Sequence, residues 1–179
     1  MFKKILFGLT LSVSVLFADG FTLVSDDLSG QLTNDQVFNG FGCSGKNISP
    51  ALSWKNAPKG TKSFAITMYD KDAPTGSGWW HWVVFDIPTN VTSLPKNSGD
   101  VLENLMPKGA IQSVTDFGKS GYGGACPPVG HGAHQYVITI YALDVDTLGL
   151  DANAKAALVG FMLNAHTLSK ASVIAYYGR

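Results

Sequence analysis

The sequence predicts a mainly β (α+β) domain: a sandwich-like core of short strands with one helix near residues 151–166. Three observations carry this. Beyond the first twenty residues the chain is mostly short apolar alternation broken by turn residues, the pattern of a β-rich domain. From Asp151 the period changes, and apolar residues recur at helical spacing. At 179 residues, with 45% hydrophobic and 15% charged side chains, the chain has the length and composition of one ordered domain with a single core.

The first segment stands apart from that domain. "MFKKILFGLTLSVSVLFADG" joins a short basic stretch, an apolar run from Ile5 to Phe17 and the small residue Ala18, the layout of a cleavable secretory signal. The run is short for a membrane span, so the chain is read as exported and not membrane-spanning, with a signal over 1–18 and one domain over 19–179. Leu16 departs from the small-x-small preference before the cleavage point, and an uncleaved anchor is the alternative. Formal net charge is zero; without Lys3 and Lys4, 11 basic residues face 13 acidic ones, a charge of −2. Basic residues are scattered, which excludes nucleic acid as an expected partner.

The strands follow in order. "FAITMY" (64–69) and "WWHWVVFDI" (79–87) are the clearest early ones, and "HQYVITIYALD" (134–144) sets Val137, Thr139 and Tyr141 on one face and Tyr136, Ile138 and Ile140 on the other. "ASVIAYYG" (171–178) reads as a last strand buried on both faces. Between them, "DANAKAALVGFMLNAH" places Ala154, Ala157, Leu158, Phe161, Met162 and Ala165 on one helical face, with Asp151 as the cap and Gly160 suggesting close packing. The stretches 88–112 and 113–133 are long loops; the second has glycine at 118, 121, 123, 124, 130 and 132 around Pro127-Pro128. Such a loop exposes backbone N–H groups and suits an anion.

Export bears on the two cysteines. In an oxidising compartment Cys43 and Cys126, 83 positions apart, are a candidate disulfide, with two free thiols as the alternative. There is no Cys-x-x-Cys to suggest redox catalysis.

The chemistry gathers at strand ends. Asp70 ends one strand and Asp72 follows two residues on, on the same side if the chain stays extended. Pro74 keeps Ala73 out of helical conformations. His81 shares a face with Trp79, Val83 and Phe85, while Trp80 and Trp82 lie opposite, in packing or at a homodimer interface. His134 and Tyr136 share a face directly after the glycine loop. Together these supply imidazole and phenol donors for a small polar anion, with carboxylates that orient the histidines and raise their pKa, or that hold an ammonium group. His166, Asp86 and Lys71 read as structural or solvated residues.

At "YDKDAPTGSGWWHW" and "PPVGHGAHQY" the chain resembles the phosphatidylethanolamine-binding protein family, in its bacterial Raf-kinase-inhibitor-like branch. The first family signature is matched by Asp70, Asp72, Pro74, Trp79 and His81, the second by Pro127, Pro128, Gly130, His134 and Tyr136. "NISPALSW" (47–54), "TDFGKSGYGG" (115–124) and "AHTLSKASVIAYYG" (165–178) extend the likeness over the mature chain. The resemblance implies a central antiparallel Greek-key sheet, a second smaller sheet and a few peripheral helices. It implies an anion pocket for phosphate, acetate or phosphoethanolamine, walled by Asp70, Asp72, Pro74, Trp79, His81, Pro128, His134 and Tyr136. It also implies a homodimer. Cys126 departs from the glycine common before the two prolines, which puts pocket width in question, and the kinase-inhibitor role of animal members is not carried over.

The expectation is therefore an exported, non-catalytic protein that binds a small anion or phospholipid headgroup without cofactor or metal. Three alternatives compete. A hydrolase would need Ser120 or Cys126 as nucleophile, and neither sits in a Gly-x-Ser-x-Gly elbow. A metal site would draw on His131, His134, His81 and the aspartates without a zinc motif. An inhibitor or interaction protein would use the pocket and the tryptophans to dock a peptide.

Overall fold

The structure, a computed structural model, describes residues 20–179; the expected signal over 1–18 lies outside them. The apolar runs form the strands that the sequence suggests, within a few residues: β5 is Ser63–Asp70, β6 Trp79–Pro88 and β9 His134–Leu143. Shorter pieces carry too little periodicity to be read in advance. They are β1 (Thr22–Val24), β2 (Asn39–Gly40), β3 (Cys43–Ser44), β4 (Leu52–Lys55), β7 (Ser93–Leu94) and β8 (Ile111–Gln112). One α-helix, α1 (Ala156–His166), runs directly into β10 (Thr167–Tyr177).

The strands build a five-stranded antiparallel sheet in the order β10-β9-β5-β6-β8, a three-stranded sheet β1-β4-β7, and the small β2-β3 pair. The sandwich core lies between the two larger sheets, where Leu52 and Trp54 of β4 meet Ile66, Met68, Trp82, Val84, Ile138 and Ile140. The opposite face of the main sheet is covered by Val159 and Leu163 of α1, packed with Ala65, Val83, Phe85 and Leu143. Strand β5 is central and buried on both faces, which explains its unbroken apolar run.

Four expectations are corrected here. Among the described residues there is one α-helix, where the family likeness implied several. That helix starts at Ala156: Asp151 accepts from the backbone N–H groups of Asn153 and Ala154 in a preceding turn, and Lys155 occupies the N-cap without a side-chain bond. Its buried face is Ala156, Val159 and Leu163, so Leu158 (47% exposed) and Phe161 (69%) face outward. A Cβ on Gly160 would sit 3.8 Å from the Trp80 ring, an ordinary contact that requires no glycine.

The last strand departs from expectation as well: β10 begins at Thr167, lies at the sheet edge and alternates half-buried with exposed residues. Within the stretch 171–178, read as buried on both faces, Ile174 and Tyr176 are exposed. Asp86 is also more than a solvated turn residue. It sits at φ +57° in a bulge of β6 and accepts from Thr147 Oγ1 at 2.7 Å and Leu148 N at 2.9 Å, fastening the loop before α1. No helix among the described residues is long and apolar enough to cross a membrane.

Candidate functional site

The β5–β6 hairpin and the β5–β9 pairing bring the chemistry to one end of the sandwich. Asp70 pairs with Trp79 across one ladder and with Tyr136 across the other. Gly78 permits the hairpin turn: it sits at φ +67°, and a Cβ there would lie 2.7 Å from the Asp70 carbonyl oxygen and closer still to the Tyr69 ring. His81 owes its place to a bulge. Met68 pairs with Trp82 and Tyr69 with Trp80, so His81 is the extra residue on β6. The alternation expected through the tryptophans therefore breaks. Trp79, His81 and Trp82 share the inner face, while Trp80, Val83 and Phe85 face α1.

These residues line a cavity of about 160 Å³. Seven of the eight expected wall residues are there: Asp70, Pro74, Trp79, His81, Pro128, His134 and Tyr136. Asp72 is not. The chain turns after Asp70, whose Oδ1 accepts from Asp72 N at 2.9 Å; Asp72 Oδ2 then accepts from Gln135 N at 2.8 Å, and its Oδ1 pairs with Lys71. Asp72 secures the start of β9 from outside the cavity. The walls that sequence reasoning missed are Phe41, Thr75 and Phe117, while Cys126, whose departure from glycine raised the question of pocket width, does line the cavity. Phe41 lies between two glycines at φ +53°, 69% exposed, and stacks with Phe117, which in turn packs edge-on to Trp79 and His81. No periodicity marks such a residue.

Asp70 and His134 form a buried pair, Oδ2 to Nδ1 at 2.7 Å. With Nδ1–H donated to the carboxylate, Nε2 of the ring faces His131 Nδ1 at 3.1 Å, within hydrogen-bonding distance. His131 is exposed, so a hydrogen-bonded chain runs from the surface to Asp70. The expected carboxylate partner of His81 is replaced by a carbonyl: His81 Nδ1 donates to Gly123 O at 2.7 Å. Burial lowers the His81 pKa from 6.5 to about 4, outweighing the upward pulls of the Gly123 carbonyl and of Asp70. The ring is thus neutral, contrary to the expectation that nearby carboxylates would raise its pKa. Tyr136 is fully buried, its hydroxyl makes no hydrogen bond of normal geometry, and burial, the Asp70 charge and a weak hydrogen bond with Asp70 push its pKa up.

The neutral ring has a consequence for stability. The unfolded chain binds a proton at His81 as pH falls through 6.5, the folded protein only near pH 4. Stability present above pH 6.5 is therefore lost as pH falls toward 4, by roughly 3 kcal/mol. Urea midpoints measured across that window should fall less steeply for His81→Asn than for the wild type; equal slopes would assign the acid sensitivity to other groups.

The glycine loop plays a different part from the one expected. Gly123 N donates to His81 O and Gly124 N to Asn47 Oδ1, and added Cβ atoms there would lie within 2.3 Å of the Phe117 ring and of Gln36 O. These two glycines permit close packing, and their N–H groups are spent on the protein itself. The wall it contributes is Cys126, Pro127 and Pro128. Cys126 is bonded to Cys43, with Cα atoms 6.0 Å apart, which resolves the choice between disulfide and free thiols. Arg179 ties the same two segments, donating from Nε to Pro127 O, from Nη1 to Gly42 O and from Nη2 to Phe41 O. A shallower depression of about 440 Å³, between residues 100–112 and Ser120, holds none of the histidines.

A family model described as phosphatidylethanolamine-binding protein matches residues 28–178. The chain is 48% identical over 162 residues to YbcL of Escherichia coli (strain K12), covering 89% of this chain and 88% of that one. It is 49% identical over 157 residues to YbhB of the same organism, covering 87% and 98%. The crystal structure of E. coli YbcL, described as a new member of the mammalian PEBP family, superposes with a TM-score of 0.87 over 89% of this chain and 98% of that one.

Proposed function

The chain belongs to the phosphatidylethanolamine-binding protein family, and from that premise we propose that its cavity binds a small anion, phosphate or the phosphate-bearing headgroup of a phospholipid, without catalysis. The observation that carries the reading is the Tyr136 hydroxyl, a fully buried donor with no hydrogen bond of normal geometry, beside the Asp70–His134 pair. A buried polar group left unpaired is costly, and a ligand oxygen is the partner it lacks. The volume, about 160 Å³, is below the roughly 300–1,000 Å³ of drug-sized sites and fits a headgroup better than acyl chains. A nucleophile is hard to find: Cys126 is oxidised, and Ser120 Oγ donates to Ala152 O away from the histidines.

The test is calorimetric titration with phosphate, paired with thermal unfolding. Phosphate at about 100 times its Kd should stabilise the wild type by about 2.7 kcal/mol. Tyr136→Phe should be at least as stable as the wild type without ligand, since it removes an unpaired hydroxyl, yet bind phosphate about tenfold or more weakly. Equal phosphate stabilisation of the two proteins would remove Tyr136 from the site, and none in either would end the anion reading.

Export and self-association complete the proposal. The disulfide supports an oxidising compartment, and the protein recovered from the cell envelope should begin at Asp19 if the signal is removed after Ala18. A homodimer is supported by an uncovered apolar face: Leu158 and Phe161 on α1, with Ile174 and Tyr176 on the neighbouring edge strand. Sedimentation equilibrium should give a dimer that Phe161→Asp shifts toward monomer; a monomeric wild type rejects this part.

A further inference from the structure

Residues 131–133 end the loop that carries the Pro127–Pro128 wall, and little holds them. Gly130 (φ +76°) and Gly132 (φ +83°) flank His131, and a Cβ on either would meet nothing within 4 Å. Upstream, the loop is fastened to Arg179: Arg179 Nε donates to Pro127 O, and Gly130 N donates to Arg179 O. The next bond, from His131 N to Pro128 O, is internal to the loop. Among the described residues, 131–133 make one hydrogen bond to anything outside this loop, between His131 Nδ1 and His134 Nε2 at 3.1 Å. His131 is exposed and His134 buried, so this contact clasps a surface loop to the start of β9.

Whether the clasp holds depends on the number of protons on the two rings. Asp70 Oδ2 takes the Nδ1 hydrogen of His134, so one hydrogen must lie between His134 Nε2 and His131 Nδ1. In the neutral pair it sits on His131 Nδ1. One added proton, on either ring, still leaves one hydrogen between the nitrogens, and the charge strengthens the bond. A second added proton sets N–H against N–H and brings two positive charges together. We propose, resting on the anion-binding reading above for what the cavity holds, that His131 is a proton-counting latch on the cavity wall. It stays closed with none or one added proton; the second releases residues 131–133 and loosens the Pro127–Pro128 wall, so that ligand exchanges faster in acid. The other ionisable groups facing the pair are engaged. Asp70 of β5 is bonded to His134, Asp72 is held by Lys71 and Gln135 N, and the Arg179 guanidinium by three carbonyls. His81 of β6 takes a proton only near pH 4. The phenols of Tyr136 on β9 and of Tyr177, opposite His134 on β10, gain none in acid.

The ligand-free protein tests the latch. Histidine ring shifts and backbone amide relaxation are measured by NMR from about pH 8 down to the onset of acid unfolding. The order parameters of Gly132 and Ala133 should stay near about 0.85 until the second ring titrates, then fall below about 0.6. In His131→Ala they should be low at every pH. Order parameters that stay high after both rings have titrated would overturn the latch. So would a second proton that does not enter before the protein unfolds, or a rigid loop in His131→Ala.

Inorganic phosphate tests the link to the cavity. Its exit rate, from phosphorus NMR line shapes, is compared at each pH between wild type and His131→Ala, so that phosphate's own titration cancels. While the latch is closed, the wild type should release phosphate about fivefold more slowly than the variant, the weight of one hydrogen bond. Once the latch is open, the two rates should converge. Equal rates at every pH would overturn the control of the cavity by the latch. Absence of phosphate binding in both proteins would end the anion reading and leave the relaxation result to decide the latch alone.

Discussion

Replacing Cys43 and Cys126 by serine is expected to lower the unfolding free energy by about 4.5 kcal/mol, the loop-closure entropy that a cross-link over 83 positions removes from the unfolded chain. That is a large share of the roughly 5–15 kcal/mol that holds a domain of this kind together. The native geometry favours near-full delivery, since the Cα atoms lie 6.0 Å apart, inside the range a disulfide spans without backbone movement. Urea unfolding of the double serine variant, and of the wild type with and without reductant, measures the effect. A difference under about 1 kcal/mol would mean that the unfolded chain is already compact where the cross-link acts. The effect on ligand binding should be much smaller. Arg179 still joins Pro127 O to Gly42 O and Phe41 O, so the two walls remain tied once the covalent bond is gone. Stability and pocket shape are thus held by different links between the same segments.

How much was legible in the sequence depends on whether the cause is local. Strands β5, β6 and β9 were readable because each is a long apolar run whose burial is set by its own residues. The grouping of Asp70, Trp79, His81, His134 and Tyr136 was readable because all stand at strand ends, and the family likeness supplied the pairing. What failed depends on partners distant in sequence. The bulge at His81 is a mismatch between two strands, so no alternation within "WWHWVV" shows that Trp82 turns inward with His81. Asp72 leaves the wall because the Asp70 carboxylate captures its N–H and turns the chain. Gly123 and Gly124 look like open anion-binding backbone until Phe117, Gln36 and Asn47 are seen beside them. Strand β10 and helix α1 were given the wrong buried faces for a related reason. Their apolar residues do not all meet the core, and Leu158, Phe161 and Ile174 remain outside.

Removing the His134 ring from the Asp70–His134 pair is expected to cost about 3–5 kcal/mol, the range for leaving a buried charge without its partner. Both side chains are nearly inaccessible, and each satisfies the other at 2.7 Å. In His134→Ala the Asp70 carboxylate keeps only its bond from Asp72 N, and the ring leaves a void between Tyr136 and His131. In Asp70→Asn the shape survives, but the amide oxygen can accept from Asp72 N or from His134 Nδ1, not easily from both; the donor left facing an NH₂ group costs about 1–3 kcal/mol. The order of destabilisation should therefore be His134→Ala first, Asp70→Asn second. His131→Ala should follow within about 0.5 kcal/mol of the wild type, because its ring is exposed and the inner pair persists without it. Denaturant midpoints of the three variants decide this. If His131→Ala proved as costly as His134→Ala, the stabilising unit would be the whole chain Asp70–His134–His131, and the surface histidine would share in holding the end of the sheet where the cavity opens.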